Sequence, residues 1–352
     1  MKHLLTAIFA AVTLGLGAPA AVAAPAPQTE AESRAAEQWL ADLAAWASGY
    51  NAVVGRRAET LEWLSNNTHL LIAKLDAGEK ASARPFAMRI AEEGRQRLTA
   101  EMEAYQALST EPPTFPLAHL ISPARRPQLN TFAMIPDRFG TMMIRTDQAG
   151  RDFIEHFVAA TSGDPEDATA LIGAYYSMAI ARTEAGIAMT ESLRGMPGTA
   201  MYRLYGVVIE GEEALIVWTR FNRAVELGEE IDFAGTAATL RTHAQAIRDQ
   251  AGEMARYANG ELVTIRATPS YASTGMGRIM LEANASFVRS AHVEYRTADV
   301  MDAVAVAVET APRDPAAAQQ TLNALADRYD GIMNDRRAED AARRRLIAQN
   351  QG

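Results

Sequence analysis

Apolar residues recur at spacings of three and four along most of the chain, which is the signature of one buried helical face. In residues 33–76, Trp39, Leu43, Trp46, Tyr50 and Val53 share such a stripe, and Leu64, Leu71 and Leu75 extend it. The pattern predicts one long helix or two in tandem, with Gly49 and Gly55 as its weak points. Gly78 supplies a C-terminal stop. Ser82 and Pro85 are start signals for a second helix running to Leu108. The short connection between the two predicts an antiparallel hairpin.

The period is lost over residues 111–147, where six of the fifteen prolines lie between Pro112 and Pro136. A stretch of this length without a helix implies a functional excursion or a crossing between domains. Thr141 to Thr146 is expected to form a short strand. Periodicity then resumes with a short helix holding Phe153, Ile154 and Phe157. Asp164-Pro165-Glu166 opens a helix over 165–194, with a cap, a proline in the first turn and acids near the positive end of the dipole. That helix is expected to stop at Gly195-Met196-Pro197-Gly198. Further helices are expected from Thr199 to Gly228 and from Phe233 to Ala258. Glu261 to Thr268 reads as a second strand, a partner for 141–146.

The cleanest repeat follows. Met276, Met280, Ala283, Phe287, Ser290, Glu294, Ala298, Met301, Ala305 and Val308 alternate by four and three. This heptad-like seam predicts long, nearly aligned neighbours. Pro312 ends it, and Asp314-Pro315 starts a last helix along Leu322, Leu325, Tyr329 and Ile332. The expected fold is all-α: an elongated antiparallel bundle of about seven long helices, with a Pro-rich irregular excursion and one short two-stranded β element. By segments, residues 24–110 form a leader and helical hairpin, 111–147 the irregular segment, and 148–350 the main bundle.

Composition sharpens this picture. About 70 residues, roughly one in five, are alanine, the best helix former and a residue depleted in strands. The chain has no cysteine, which excludes disulfides, thiolate metal sites and a catalytic thiol. The first residues carry an address. Lys2 precedes an apolar run from Leu4 to Leu16, and Ala21-Val22-Ala23 forms an A-x-A cleavage motif. A secretory signal peptide over residues 1–23 is expected, with a periplasmic or secreted mature chain. The greasy segment Leu171–Met189 is interrupted by Arg182 and Glu184, so no integral span is expected after cleavage.

The formal charge is −9, which argues against nucleic acid as a partner. The basic cluster Arg336, Arg337, Arg343, Arg344 and Arg345 is interleaved with Glu339 and Asp340, as on a solvated helix with local ion pairs. Glu-x-x-His, His-Glu-x-x-His, Gly-x-Ser-x-Gly and Ser-x-x-Lys are absent, as are phosphate- and dinucleotide-binding glycine patterns in the mature chain. No catalytic machinery is evident, and no cofactor is expected.

Polar residues at positions where the period expects apolar ones are the remaining candidates. Glu184, Glu212, Glu294 and His243 occupy helix seams. Buried carboxylates are costly unless paired or metal-bound, so these four define a candidate polar core site for a metal or small ligand. Alternatively, each carboxylate pairs with an arginine of a neighbouring helix, and the seam polarity fixes register. Ser273, Thr274 and Arg278, in a small-residue loop ahead of a helix, are a second candidate group, for an anion. Together these features point to an exported helical-bundle binding or scaffold protein, which meets a protein partner or itself through helical faces. The alternative is a metal- or ligand-binding bundle, with hydrolytic chemistry, built on the buried Glu and His.

Overall fold

The computed structural model describes residues 30–116, 130–162, 164–194, 200–273 and 275–349. Among these, every regular element is a helix. Eight are long: α1 (Glu30–Asp76), α2 (Lys80–Gln106), α3 (Asn130–Ala159), α4 (Pro165–Leu193), α5 (Ala200–Leu227), α6 (Phe233–Arg266), α8 (Gly275–Thr310) and α9 (Pro315–Gln349). The short turn α7 (Pro269–Ala272) joins α6 to α8. Each long helix packs on the next, with α6 against α8 the most extensive pair, and α1 touches α4, α8 and α9. No described helix is long and apolar enough to cross a membrane.

Local chemistry explains the boundaries. α1 runs through Gly49 and Gly55 without a break. It stops at Gly78, whose φ of 74° only glycine adopts without strain. α2 begins at Lys80, ahead of the expected Ser82 start, and the Ser82 hydroxyl donates back to the Glu79 carboxylate at 3.0 Å. Asp164 caps α4 by accepting from the Glu166 amide at 2.9 Å, with Pro165 in the first turn. The signal peptide expected over residues 1–23, the expected Gly195–Gly198 stop and residues 117–129 of the Pro-rich segment lie outside the described residues.

Two expectations are corrected. Neither strand forms, because both segments continue a helical face. Thr141–Thr146 lies within α3, where Ile135, Phe139, Met142, Met143 and Thr146 are buried at spacings of three and four. The irregular segment therefore ends by Asn130 rather than at 147, and α3 carries Pro136 inside it. Glu261–Thr268 extends α6 to Arg266: Ala258, Leu262 and Ile265 are buried on one face, and Val263 is turned to solvent. The β-branched residues fit a helix because its buried stripe extends through them.

Residues 109–115 are not a free crossing. The aromatic stripe of α1 clasps them. Trp46 Nε1 and Tyr50 Oη donate to the Ser109 carbonyl at 2.9 and 3.0 Å, and Trp39 Nε1 donates to the Pro113 carbonyl at 2.9 Å. Phe115 meets the Trp39 ring edge-on at 4.6 Å. Burial, with Tyr105 nearby, pushes the Tyr50 hydroxyl up to about 12, so it remains a donor.

Alanine sets the α6–α8 seam. On α6, Ala237, Ala244, Ala251 and Ala258 recur every seven residues, interleaved with Leu240, Ile247 and Met254, and all are buried. On α8, Met280, Phe287, Glu294, Met301 and Val308 recur likewise. Small buried residues at every seventh position of α6 let a neighbouring helix approach closely, in keeping with the extent of the α6–α8 contact.

The apolar interior forms two clusters. The larger joins one half of α1, from Trp39 to Val54, to α3, α4, α5, α6, α8 and α9. The smaller holds Leu64 and Leu71 of α1, the region Ala83–Leu98 of α2, Phe153, Ile154 and Phe157 of α3, and Leu171 and Met178 of α4. Between them, on four successive helices, lie buried Arg57, Glu101, Thr146 and Arg182.

Candidate metal centre

The four seam candidates do not converge. Glu184 accepts from Arg220 Nη2 at 3.0 Å in a surface pair, with both side chains more than half exposed. Glu294 is buried and pairs with Arg336 of α9. Burial opposes the Arg336 charge, but Glu294, Tyr329 and Glu212 together hold it above the ordinary arginine range. Glu212 is half-buried and lies within the field of that same arginine. Of the second group, Ser273 Oγ donates to the Ser270 carbonyl at 3.1 Å, Arg278 is exposed, and Thr274 lies outside the described residues.

His243 is the exception. It flanks the buried stripe of α6, beside Leu240, Ala244 and Ile247, and its ring meets α5. Nδ1 lies 2.9 Å from Glu210 Oε2 and 3.7 Å from Glu213 Oε2. Glu210 and Glu213 stand three apart on one face of α5. One ligand atom from each of the three residues lies within 4.8 Å of the others. All three side chains are partly shielded, His243 most, at 17% exposure. One turn before Glu210, a Cβ on Gly206 would sit 2.7 Å from Arg194 Nη2 and 2.9 Å from Gln250 Oε1. Glycine there lets the end of α4 and the flank of α6 close on α5.

Electrostatics mark the same spot. The hydrogen bond His243 donates to Glu210, together with the charges of both glutamates, raises the His243 pKa above its usual value, with burial opposing. Burial raises the Glu213 carboxyl above the usual range; Glu210 and Glu191 of α4 add to this, and His243 opposes it. Two helices thus bring two carboxylates to one imidazole, with Glu191 of α4 acting on Glu213 from beyond them. No family model, curated protein or solved structure matches the chain. The centre is therefore read from its own geometry.

That geometry suits a tetrahedral cation. With Zn–N and Zn–O lengths of ~2.0–2.1 Å, ligand atoms lie about 3.3 Å apart. The 2.9 and 3.7 Å separations fall on either side of that value. One imidazole with hard carboxylates fits Zn²⁺, Mn²⁺ or Fe²⁺ rather than a thiophilic metal.

Glu210 and Glu213 were legible only as flanking residues. The one-face argument selects Glu212, because it lies four residues after Val208 and three before Leu215. However, α5 is buried from Leu204 to Ile209 on every side, so periodicity cannot rank its faces. The spacing of two glutamates by three was the available signal, and it needed a histidine from another helix to acquire meaning.

Proposed function

We propose that this chain is an exported helical-bundle binding protein that holds a divalent transition-metal cation between α5 and α6, on His243, Glu210 and Glu213. The observation supporting this reading is the approach of those three donor atoms to within 4.8 Å. The Glu213 carboxyl, raised first by burial and then by Glu210 and Glu191, agrees with it, since a bound cation would offset both. Export rests on the signal-like sequence of residues 1–23. Large exposed apolar side chains, such as Leu70, Met88, Ile144, Val263 and Val306, stand on different helices, so a docking face for a protein partner has less support than the metal.

The test uses the mature chain purified without a metal-affinity tag, stripped with a chelator and titrated with Zn²⁺ and Mn²⁺ by calorimetry. One ion per chain is expected. Loss of a residue that merely orients a metal ligand typically costs 10–100-fold in affinity, so loss of a direct ligand in His243→Ala or Glu210→Gln should cost at least 100-fold. Glu184→Gln should change nothing. Unaltered binding in His243→Ala, or no binding by the native chain, overturns the metal reading. Fractionation of the producing cell, with mass determination of the mature N-terminus, tests export.

A further inference from the structure

The smaller apolar cluster is drawn wholly from α1–α4; among the described residues, none of its members belongs to α5–α9. On each of these four helices a charged residue marks the passage from one cluster to the other. Arg57 stands between Val54 and Leu64 on α1, and Glu101 between Leu98 and Tyr105 on α2. Asp147 stands between Met143 and Phe153 on α3, and Arg182 between Met178 and Ala185 on α4. The four charges form one cross-section of the α1–α4 bundle. Beyond it lies a distal end, with the α1–α2 turn at Gly78 and the Asp164 cap of α4 at its tip.

The cross-section is neutral, two guanidiniums against two carboxylates, but it is poorly bonded. Glu101 Oε2 lies 3.8 Å from Arg57 Nε and 3.6 Å from Arg182 Nη2, beyond hydrogen-bond range. Asp147 acts on both arginines, yet gives Oδ2 to Arg151 at 2.8 Å. Arg57 Nε and Nη2, Arg182 Nε, Nη1 and Nη2, Glu101 Oε1 and Asp147 Oδ1 are buried without a hydrogen-bond partner among the described residues. Each such atom has lost its hydration with no bond in return. Opening at this layer restores that hydration and so offsets part of its own cost. Opening the buried face of α6, which is apolar from Ala237 to Ile265, restores none.

We propose that the distal end of α1–α4 opens as one cooperative unit, at lower free energy than the main bundle, with the Arg57–Glu101–Asp147–Arg182 layer as its boundary. Units that open in this way often coincide with supersecondary motifs, and the distal end consists of two helical hairpins. Closed, the four charges hold the helices in register. Opened, water takes up the atoms that the fold leaves unbonded. A link to α5 remains on the flank, where Tyr176 Oη donates to Glu226 at 2.7 Å. It adds to the cost of opening without joining the two cores.

The test is hydrogen exchange of the folded mature chain, metal-free in chelator, read by mass spectrometry over sub-denaturing urea concentrations. Slow amides in 64–71, 87–98, 153–157 and 171–178 should share one opening, at least ~10-fold more populated than the one that exposes 240–262 and 283–305. Ile247→Val, in the buried face of α6, should speed exchange at least about twofold in the second set and leave the first unchanged. Arg57→Met combined with Glu101→Leu removes one charge of each sign, so distal exchange should slow at least about fivefold. The proposal is overturned if both sets exchange through one common opening, if Ile247→Val speeds them equally, or if the double variant leaves distal exchange as fast as in the native chain. With chelator present, none of these results depends on the metal reading.

Discussion

Replacing Arg336 with leucine isolates what the α8–α9 contact contributes. Arg336 is 8% exposed and its partner Glu294 only 2%. Removal of the guanidinium leaves a carboxylate in the α8 seam with its main cation gone. Breaking a buried pair in this way costs roughly 3–5 kcal/mol. With ~2.1 cal/mol/K of unfolding entropy per residue over about 300 residues, 4 kcal/mol lowers the melting temperature by about 6 °C. Glu294→Leu combined with Arg336→Leu removes both charges and both desolvation costs. The double variant should therefore lie within about 1–2 kcal/mol of the native chain, or above it. The coupling of about 3 kcal/mol is read from a four-member cycle by calorimetry and urea unfolding at pH 7. The exposed Glu184–Arg220 pair is the control, and its cycle should give no more than about 1 kcal/mol. Arg336→Leu costing under about 1 kcal/mol, or a double variant as unstable as the sum of its singles, would refute the argument that burial decides the value of the pair.

Four other expectations rest on the same structure. The raised pKa of His243 contributes stability to the metal-free chain that is complete below the ordinary histidine value of ~6.5 and is lost as pH rises through the folded value. The stability gap between native and His243→Gln should thus shrink from pH 5.5 to pH 8, whereas Zn²⁺ affinity should grow over the same range, because the metal displaces the proton; a gap that widens with pH contradicts the assignment. Gly260 and Gly331 lie inside α6 and α9, where an added Cβ meets nothing within 4 Å, so each alanine variant should gain about 0.5–1 kcal/mol. In Gly94→Ala the new Cβ would lie 2.8 Å from buried Ile154 Cδ1, and the melting temperature should fall. Trp39→Ala removes the donor to Pro113 and the ring against Phe115, so limited proteolysis should cut within 109–116 much faster than in the native chain, and an unchanged rate would show that the clasp does not hold the segment.

Helix identity was legible where one face alone is buried. The seam Met280–Val308 lies buried as its period implies, and the Asp164-Pro165 and Gly78 signals act where expected because capping is local chemistry. Residues 130–147 were misread because proline dominates a short window, whereas a single Pro136 early in α3 does not outweigh a buried face extending to Phe157. The strand reading of 261–268 failed for a related reason: Val263 and Thr264 look β-prone in isolation, but the heptad alanines of α6 had already fixed the helical register that Leu262 and Ile265 complete.

The proposed metal centre and the buried charged layer differ in how they could have been found. The former combines residues 33 positions apart on α5 and α6, and neither helix announces it alone. The buried layer was partly visible, since Arg182 directly follows the apolar run Met178–Ala181. A charge in such a run requires a partner, and the sequence offers no means of choosing among 43 acids. The fold supplies Glu101, beyond hydrogen-bond distance of both arginines, and Asp147, which acts on the same two from α3. The same helices could have buried leucine at positions 57 and 182 at lower cost. Arg57, Glu101, Asp147 and Arg182, one from each of four successive helices, therefore form a set whose mutual attraction requires all four helices in register, which buried leucines would not require.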